Sequence, residues 1–509
     1  MRVAARSERC PAPARSRVYE RLVTVHGPEG LEVELKLEAD ADGLDALAAA
    51  LEARGVRFAT RALHARYFDT PEGELRRAGL SLRIRRSGDV RVQTLKAEGA
   101  ALGALLARPE WERAVEDDTP VLDDAPEAMR GALPNGAVHA LAPAFSVEVE
   151  RRVGAVLDEA GGIEVVIDRG VVRGDRREAP VAEIELELTD GTPAALFALA
   201  RMLADAAPVR LGMLTKAERG YRLLDRAADK PVKGAQAAIA PDAGTGEAFA
   251  AIAGACLRQF RLNEDLLLRA QDPDALHQAR VALRRLRSAL SIFRRVVADN
   301  RFEHLRGELR WLAATLGEAR DLDVLLARTG RRDALGEARA AAYARVAEAL
   351  GSVRARTLML DLAEWLAVGA WRTAPADAAA VARPARDFAE ETLDRLRRRL
   401  KKRGKDLRHV DDETRHEVRI DAKKLRYAAE FFAGLFPGDK RKRRARRFIG
   451  AMQDLQAHLG DLNDIATAPV VLARLGVAVE PAPAHDRERL IDAAAEAYDA
   501  LMGRKRFWR

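Results

Sequence analysis

From residue 31 the chain alternates strictly between polar and apolar positions. In LEVELKLEA, Glu32, Glu34 and Lys36 share one face of an extended segment, while Val33, Leu35 and Leu37 share the other. The same period of two recurs in LSLRIRR (80–86), VRVQTLK (90–96), RPEWERAV (108–115), FSVEVERRV (145–153), IEVVIDRG (163–170) and VAEIELEL (181–188). With helical stretches near 42–54 and 193–205, this predicts an α+β domain dominated by antiparallel strands. Residues 227–245 lose all periodicity and are rich in Ala, Pro and Gly, which marks a linker. Beyond it the period becomes 3.6. Ala/Leu/Arg-rich helices are predicted over 246–270, 274–298, 301–318, 336–368, 384–403, 411–435, 441–460 and 486–503, punctuated by Pro273, Pro375, Pro437 and Pro469.

The polar faces of the strands are unusual. Glu183, Glu185 and Glu187 stack three carboxylates on one side of one strand, and Arg83 and Arg85 stack two guanidiniums on one side of another. A solvated sheet face also alternates, but like charges about 7 Å apart along a strand repel, so their accumulation favours an opposite charge between them. Carboxylates facing arginines suit a divalent cation holding a phosphate chain. In a sheet closed into a barrel, these residues would line the lumen.

The helical half contains a repeat. HQARVALRRLR (277–287) returns as HEVRIDAKKLR (416–426), and each copy is followed by a Leu-Gly element: Leu316-Gly317 with Arg320-Asp321, then Leu459-Gly460 with Asn463-Asp464. At 100° per residue, His277, Arg280, Arg284 and Arg287 fall within about 80° of arc, as do His416, Arg419, Lys423 and Arg426, beside an apolar stripe that includes Leu283 and Leu286 or Ala422 and Leu425. Two like units, about 246–375 and 380–509, usually pack about a pseudo-twofold axis. Two bundles are expected, their basic stripes lining a shared positive channel. A single basic stripe more often just solvates a helix; duplication favours anion binding. Asp321 and Asp464 read as caps or partners that orient the stripes. The run KRKRRARR (440–447) suits polyphosphate, RNA or plain solvation equally.

Charge follows the same division. Residues 1–230 carry 34 Lys+Arg against 39 Asp+Glu, and residues 231–509 carry 52 against 39. The second half should therefore attract polyanions. Its scarcity of aromatics disfavours nucleic acid, since single-stranded bases are usually held by stacking. Only Cys10 and Cys256 are present, too few for a disulfide framework or a cysteine zinc site, and no run of about 18 apolar residues occurs. These features predict a cytoplasmic chain without membrane association, with residues 1–30 as a disordered extension.

In order, EVELK (32–36), YFDT (67–70), LSLRIR (80–85), QTLK (93–96), RPEWE (108–112), DRG (168–170), EIELEL (183–188) and TKAERGY (215–221) resemble the CYTH domain of the triphosphate tunnel metalloenzymes, here over 31–226. The resemblance implies an eight-stranded antiparallel tunnel with flanking helices that hydrolyses triphosphates, or in some members cyclises ATP, with divalent metals. It implies metal binding by Glu32, Glu34, Glu183 and Glu185, with Glu187 weaker. It implies phosphate contacts from Lys36, Arg83, Arg85, Lys96, Arg108 and Arg151, and further polar roles for Glu110, Glu112, Asp168 and Lys216. Glu32, Glu34, Lys36, Arg83 and Arg85 would carry catalysis, with Mg²⁺ or Mn²⁺ as cofactor. Glu148, in FSVEVERR, departs from the family pattern.

HQARVALRRLR, WLAATLGEARDLDV (311–324), HEVRIDAKKLRY (416–427) and HLGDLNDI (458–465) resemble the CHAD domain, here 246–509, an all-α duplicated helical family associated with inorganic polyphosphate. That implies polyphosphate contact by His277, Arg280, Arg284, Arg287, His416, Arg419, Lys423 and Arg426, and association with polyphosphate granules. Inorganic triphosphate and polyphosphate are thus the expected partners. Thiamine triphosphate hydrolysis, ATP cyclisation and a non-catalytic targeting role remain open at this point.

Overall fold

The computed structural model describes residues 31–509 except 98, 103–104, 134–135, 159–160, 331 and 475–483. The predicted disordered extension, 1–30, lies outside the described residues.

Among the described residues, ten strands form one antiparallel sheet: β1 (Leu31–Glu38), β2 (Ala59–Asp69), β3 (Leu80–Ser87), β4 (Val90–Ala97), β5 (Ala100–Leu102), β6 (Leu105–Ala114), β7 (Ala142–Asp158), β8 (Gly161–Gly174), β9 (Arg177–Gly191) and β10 (Arg210–Leu211). Pairing of β1 with both β9 and β6 closes eight of them into a barrel in the order β1, β9, β8, β7, β2, β3, β4, β6, with β5 and β10 as short additions. β2, which the sequence reading did not single out as a strand, alternates Leu63, Ala65 and Tyr67 with His64 and Arg66 and pairs with β3 and β7.

The barrel is turned inside out relative to an ordinary one. The apolar faces of β1, β8 and β9 (Leu35, Leu37, Val165, Ile184, Leu186) point outward and are covered by helices α1 (Ala41–Glu52) and α2 (Pro193–Ala206). The charged faces of these three strands are left to the lumen, whereas β2 turns Leu63 and Tyr67 to it. Helix α3 (Lys216–Leu224), opened by a capping box between Thr215 and Glu218, packs against β7, β8 and β9.

The second half is helical: α4 (Thr245–Ala270), α5 (Pro273–Val297), α6 (Phe302–Thr329), α7 (Arg332–Gly351), α8 (Val353–Val368), α9 (Ala385–Arg403), α10 (Asp412–Phe432), α11 (Asp439–Arg474) and α12 (Ala484–Met502). The predicted helix 336–368 is two helices, because the Ser352 side chain accepts from the Ala355 amide and starts a new one. The repeat is visible as α4-α5-α6 against α9-α10-α11, but the two units are not separate bundles. Phe293 of α5 stacks on Phe388 of α9 and touches Phe432 of α10, so both copies share one core. That core also continues into the outer layer of the barrel. The predicted linker is pinned rather than loose: Val232 exchanges backbone bonds with the Asn263 side chain, and Arg285 donates to the Ala235 carbonyl. No described helix is long and apolar enough to cross a membrane.

Candidate functional site: a charged tunnel and two basic stripes

Strand register aligns the carboxylates. β1 and β9 pair with Glu34 opposite Glu187, Lys36 opposite Glu185 and Glu38 opposite Glu183, all on the lumen side of the period-2 pleat. Across the ring, β3 presents Arg83 and Arg85, β4 Lys96, β6 Arg108, Glu110 and Glu112, and β7 Arg151. With Glu34, Lys36, Glu185 and Glu187 these line a cavity of about 850 Å³, joined by Arg61, Tyr67, Glu164 and Lys216. The side chain of Glu32 lies outside the described residues; its backbone stands opposite Arg108.

At one end of the cavity, oxygens of Asp168, Glu183 and Glu185 lie within 4.8 Å of one another. Two lysines sit among them. Lys216 Nζ is 2.5 Å from Glu183, 2.7 Å from Asp168 and 3.0 Å from Glu185; Lys36 Nζ is 3.1 Å from Glu183 and bonds Glu185. Arg151 makes a two-pronged pair with Asp168, at 2.8 and 2.6 Å. Burial works against every charge here, yet the Lys216 and Lys36 ammoniums hold the Glu185 carboxyl well below its usual range. Burial likewise opposes a charged Lys216 or Arg151, but the neighbouring carboxylates hold both above their ordinary values. The cluster is therefore fully ionised at neutral pH. Such buried ion pairs add little net stability, because desolvation consumes the Coulomb gain, so their concentration on a cavity wall points to function.

The tunnel residues expected from sequence fall into two classes. Glu34, Lys36, Arg83, Arg85, Lys96, Arg108, Arg151, Glu185 and Lys216 line the cavity. Glu183 does not: it is 0 % exposed, held by Lys36, Lys216 and Arg219 beneath α3. Glu187, the weaker expectation, does line it. Glu148, the departure from pattern, faces away and pairs with Arg173. The lysine and arginine wall is partly engaged by acids, with Lys96 3.0 Å from Glu110 and Arg85 3.6 Å from Glu112, while the buried Arg83 Nε has no hydrogen-bond partner. Sequence reasoning passed over Glu38 and Arg219, although Glu38 continues the very face that starts at Glu32.

The basic stripes meet in the helical domain. α5 packs against α10, and Arg284 of the first copy is close enough to repel Arg419 and Lys423 of the second. Burial, Arg419 and Arg284 push Lys423 down to about 8. Arg280 Nη1, Arg284 Nε and Arg419 Nε are buried without hydrogen-bond partners. Asp321 and Asp464 also come near each other, Asp321 being 3.7 Å from Arg280 and Asp464 3.6 Å from Arg328. They orient arginines rather than cap helices. The two histidines are not equivalent: His277 is half-buried, with burial, Arg320 and Arg284 depressing its pKa, whereas His416 is exposed. Arg426 bonds Gln456 and Glu430, and Arg287 is exposed.

Residues 30–221 match the CYTH domain family and residues 251–473 the CHAD domain family. Over 160 residues the chain is 31% identical to an inorganic triphosphatase of Haemophilus influenzae, a stretch that is 31% of this chain and 44% of that protein. The match thus spans less than half of that relative. Among solved structures, the CHAD domain from the plant Ricinus communis is 32% identical, with 53% of this chain and 90% of that chain covered at a TM-score of 0.43. A Hippeastrum protein described by its dominant triphosphatase activity is 19% identical, with 36% and 93% covered at a TM-score of 0.31. The order and extent of the two family matches place this chain among proteins that join a CYTH domain to a CHAD domain.

Proposed function

We propose that the tunnel hydrolyses inorganic triphosphate, or a related short triphosphate, in a Mg²⁺- or Mn²⁺-dependent reaction, and that the groove between the helical repeats holds polyphosphate. The observation that carries the reading is the two-sided lining of one cavity, with Glu34, Glu185 and Glu187 along β1 and β9 and Arg83, Arg85 and Lys96 across from them. A polyphosphate chain needs both: guanidinium and ammonium groups for its oxygens, and hard donors for the cation that accompanies it.

The donor set fits such a cation. No His or Cys lines the cavity among the described residues, and the carboxylates that border it are Glu34, Glu185 and Glu187 beside Glu110, Glu112 and Glu164. Glu34, Glu185 and Glu187 would hold the metal, with Glu32 as a fourth donor. When bound, the metal neutralises phosphate charge and makes a water nucleophilic at neutral pH. Arg83, Arg85, Lys96, Arg108 and Arg151 bind the equatorial oxygens and stabilise the charge that spreads over them as the terminal phosphoryl group leaves. Lys36 and Lys216, ionised by their carboxylate neighbours, add fixed positive charge at one end of the cavity. Direct attack by water on the terminal phosphorus needs no covalent nucleophile from the protein and is the reading favoured.

Support for the activity comes from the inorganic triphosphatase relative, and for the groove from the unpartnered buried arginine nitrogens between α5 and α10. The test is a substrate panel with the purified chain and either metal: inorganic triphosphate, ATP, thiamine triphosphate and long polyphosphate. Release of phosphate from inorganic triphosphate is expected. If none of the four is turned over, the tunnel is not a triphosphatase.

A further inference from the structure

The tunnel is wired to the helical domain by a chain of charged groups. Arg219, on the same helix as Lys216, bonds Glu38 and stands 3.5 Å from Glu183. The other oxygen of Glu38 faces Arg261, 3.9 Å away, and Arg261 belongs to α4 of the helical domain. Arg261 is 1% exposed. Its Nε donates to the carbonyl of Leu211, 3.1 Å away in β10, and its other nitrogens bond Glu264 and Asp265. One turn earlier, Arg258 bonds Glu218 of α3 at 2.7 Å and the Met213 carbonyl. Segment 210–215 is thereby fixed between β1 and α4, with the Gly212 amide donating to the Lys36 carbonyl at 2.8 Å.

A buried arginine that reaches out of its own domain is costly to place, and its fork is divided between its own helix and the barrel. The division has a consequence for the tunnel. Arg219 is shared by Glu38 and Glu183. With Arg261 present, Glu38 has a second cation nearby. Burial pushes the Glu38 carboxyl up against the pull of Arg219 and Arg261, so without Arg261 the charge on Glu38 rests on Arg219 alone and Arg219 is drawn away from Glu183. Glu183 then relies on Lys36 and Lys216, two of the lysines that line the cavity.

We infer that Arg261 is a positioning residue for the tunnel: through Glu38 and Arg219 it sets how tightly Glu183 holds Lys36 and Lys216, and so how strongly the tunnel grips a triphosphate. The inference rests on the triphosphate reading of the tunnel. It makes the helical domain a working part of the tunnel's electrostatics, independent of what that domain's own groove binds.

The test is calorimetric titration of inorganic triphosphate into the full chain in EDTA, which measures the grip without turnover. Arg261→Met is expected to weaken binding about tenfold, within the usual range of coupling between sites. Arg261→Lys should lose less, and adding Glu38→Gln to Arg261→Met should restore binding to near wild type, because the carboxylate left uncompensated is then neutral. A purely structural role for Arg261 would not be rescued by a second change at Glu38. If Arg261→Met does not give folded protein, Arg261→Lys with and without Glu38→Gln makes the same comparison. Wild-type affinity in Arg261→Met, or no rescue by Glu38→Gln, overturns the inference. A wild-type chain that does not bind triphosphate in EDTA also overturns the inference, and one that in addition releases no phosphate from it with Mg²⁺ or Mn²⁺ overturns the function proposed above.

Discussion

Lys423 shows what one residue can report. It is half-buried on α10, with Arg419 and Arg426 on its own helix, Arg284 opposite, and Asp464 as the main opposing charge. Its pKa in the fold is about 8, against a reference value of 10.5. The unfolded chain therefore binds more protons between those values, and fold stability from this group rises as pH climbs from about 8 towards 10.5. Anion binding has the opposite sign: a polyanion favours the charged ammonium, so affinity is highest below about 8 and falls as pH rises through it. Polyphosphate binding measured at fixed ionic strength from pH 6.5 to 9 should weaken across that range in the wild type and much less in Lys423→Arg. A flat wild-type profile would refute the linkage. The stripe itself was legible from helical spacing, because Arg280, Arg284, Arg419 and Lys423 follow a period of 3.6. That Lys423 is depressed was not, since it depends on Arg284 arriving from 139 positions earlier in the chain.

At the scale of elements, the strands were readable where aliphatic residues alternate with charge, as in β1 and β9, and β2 escaped because its inward residues include a small Ala and its neighbours are His and Arg. Depth was not readable either. Glu183, Glu185 and Glu187 look identical along β9, yet only the last two border the cavity, because α3 covers the first. The seating of α3 thus decides which carboxylates face the cavity. Gly220 allows that seating: a Cβ there would lie 2.1 Å from the Phe145 ring. Phe145 cannot yield cheaply, being stacked on Tyr67 at 4.6 Å and edge-on to Tyr221 at 5.2 Å. Gly220→Ala is therefore expected to cost about 1–3 kcal/mol as overpacking. It should lower the melting temperature and weaken triphosphate binding together, through displacement of Lys216. Calorimetric melting beside a binding titration checks this; an unchanged melting temperature would show that α3 is not seated on Phe145.

For the whole molecule, the split of charge between an acidic strand-rich half and a basic helical half was plain from composition, and the repeat was plain from HQARVALRRLR and HEVRIDAKKLR. The joining of these parts was not. Two separate bundles were expected, whereas Phe293, Phe388 and Phe432 bring both copies into one core. The linker is fastened to α4, and Arg201 of α2 pairs with Asp361 and Glu364 of α8 at 2.6 Å each. Contacts of this kind are set by tertiary packing between distant segments and leave no local periodicity to read.

Catalysis in the tunnel, proposed above, is the step on which the function of the molecule turns. Phosphate release from inorganic triphosphate, followed with Mg²⁺ or Mn²⁺ and with EDTA in the wild type, Glu34→Ala and Arg85→Ala, tests it most directly. Metal-dependent release is expected to fall at least a hundredfold in each variant, the order seen when a group stabilising transition-state charge is removed. Full turnover in both variants, or undiminished release in EDTA, would contradict it.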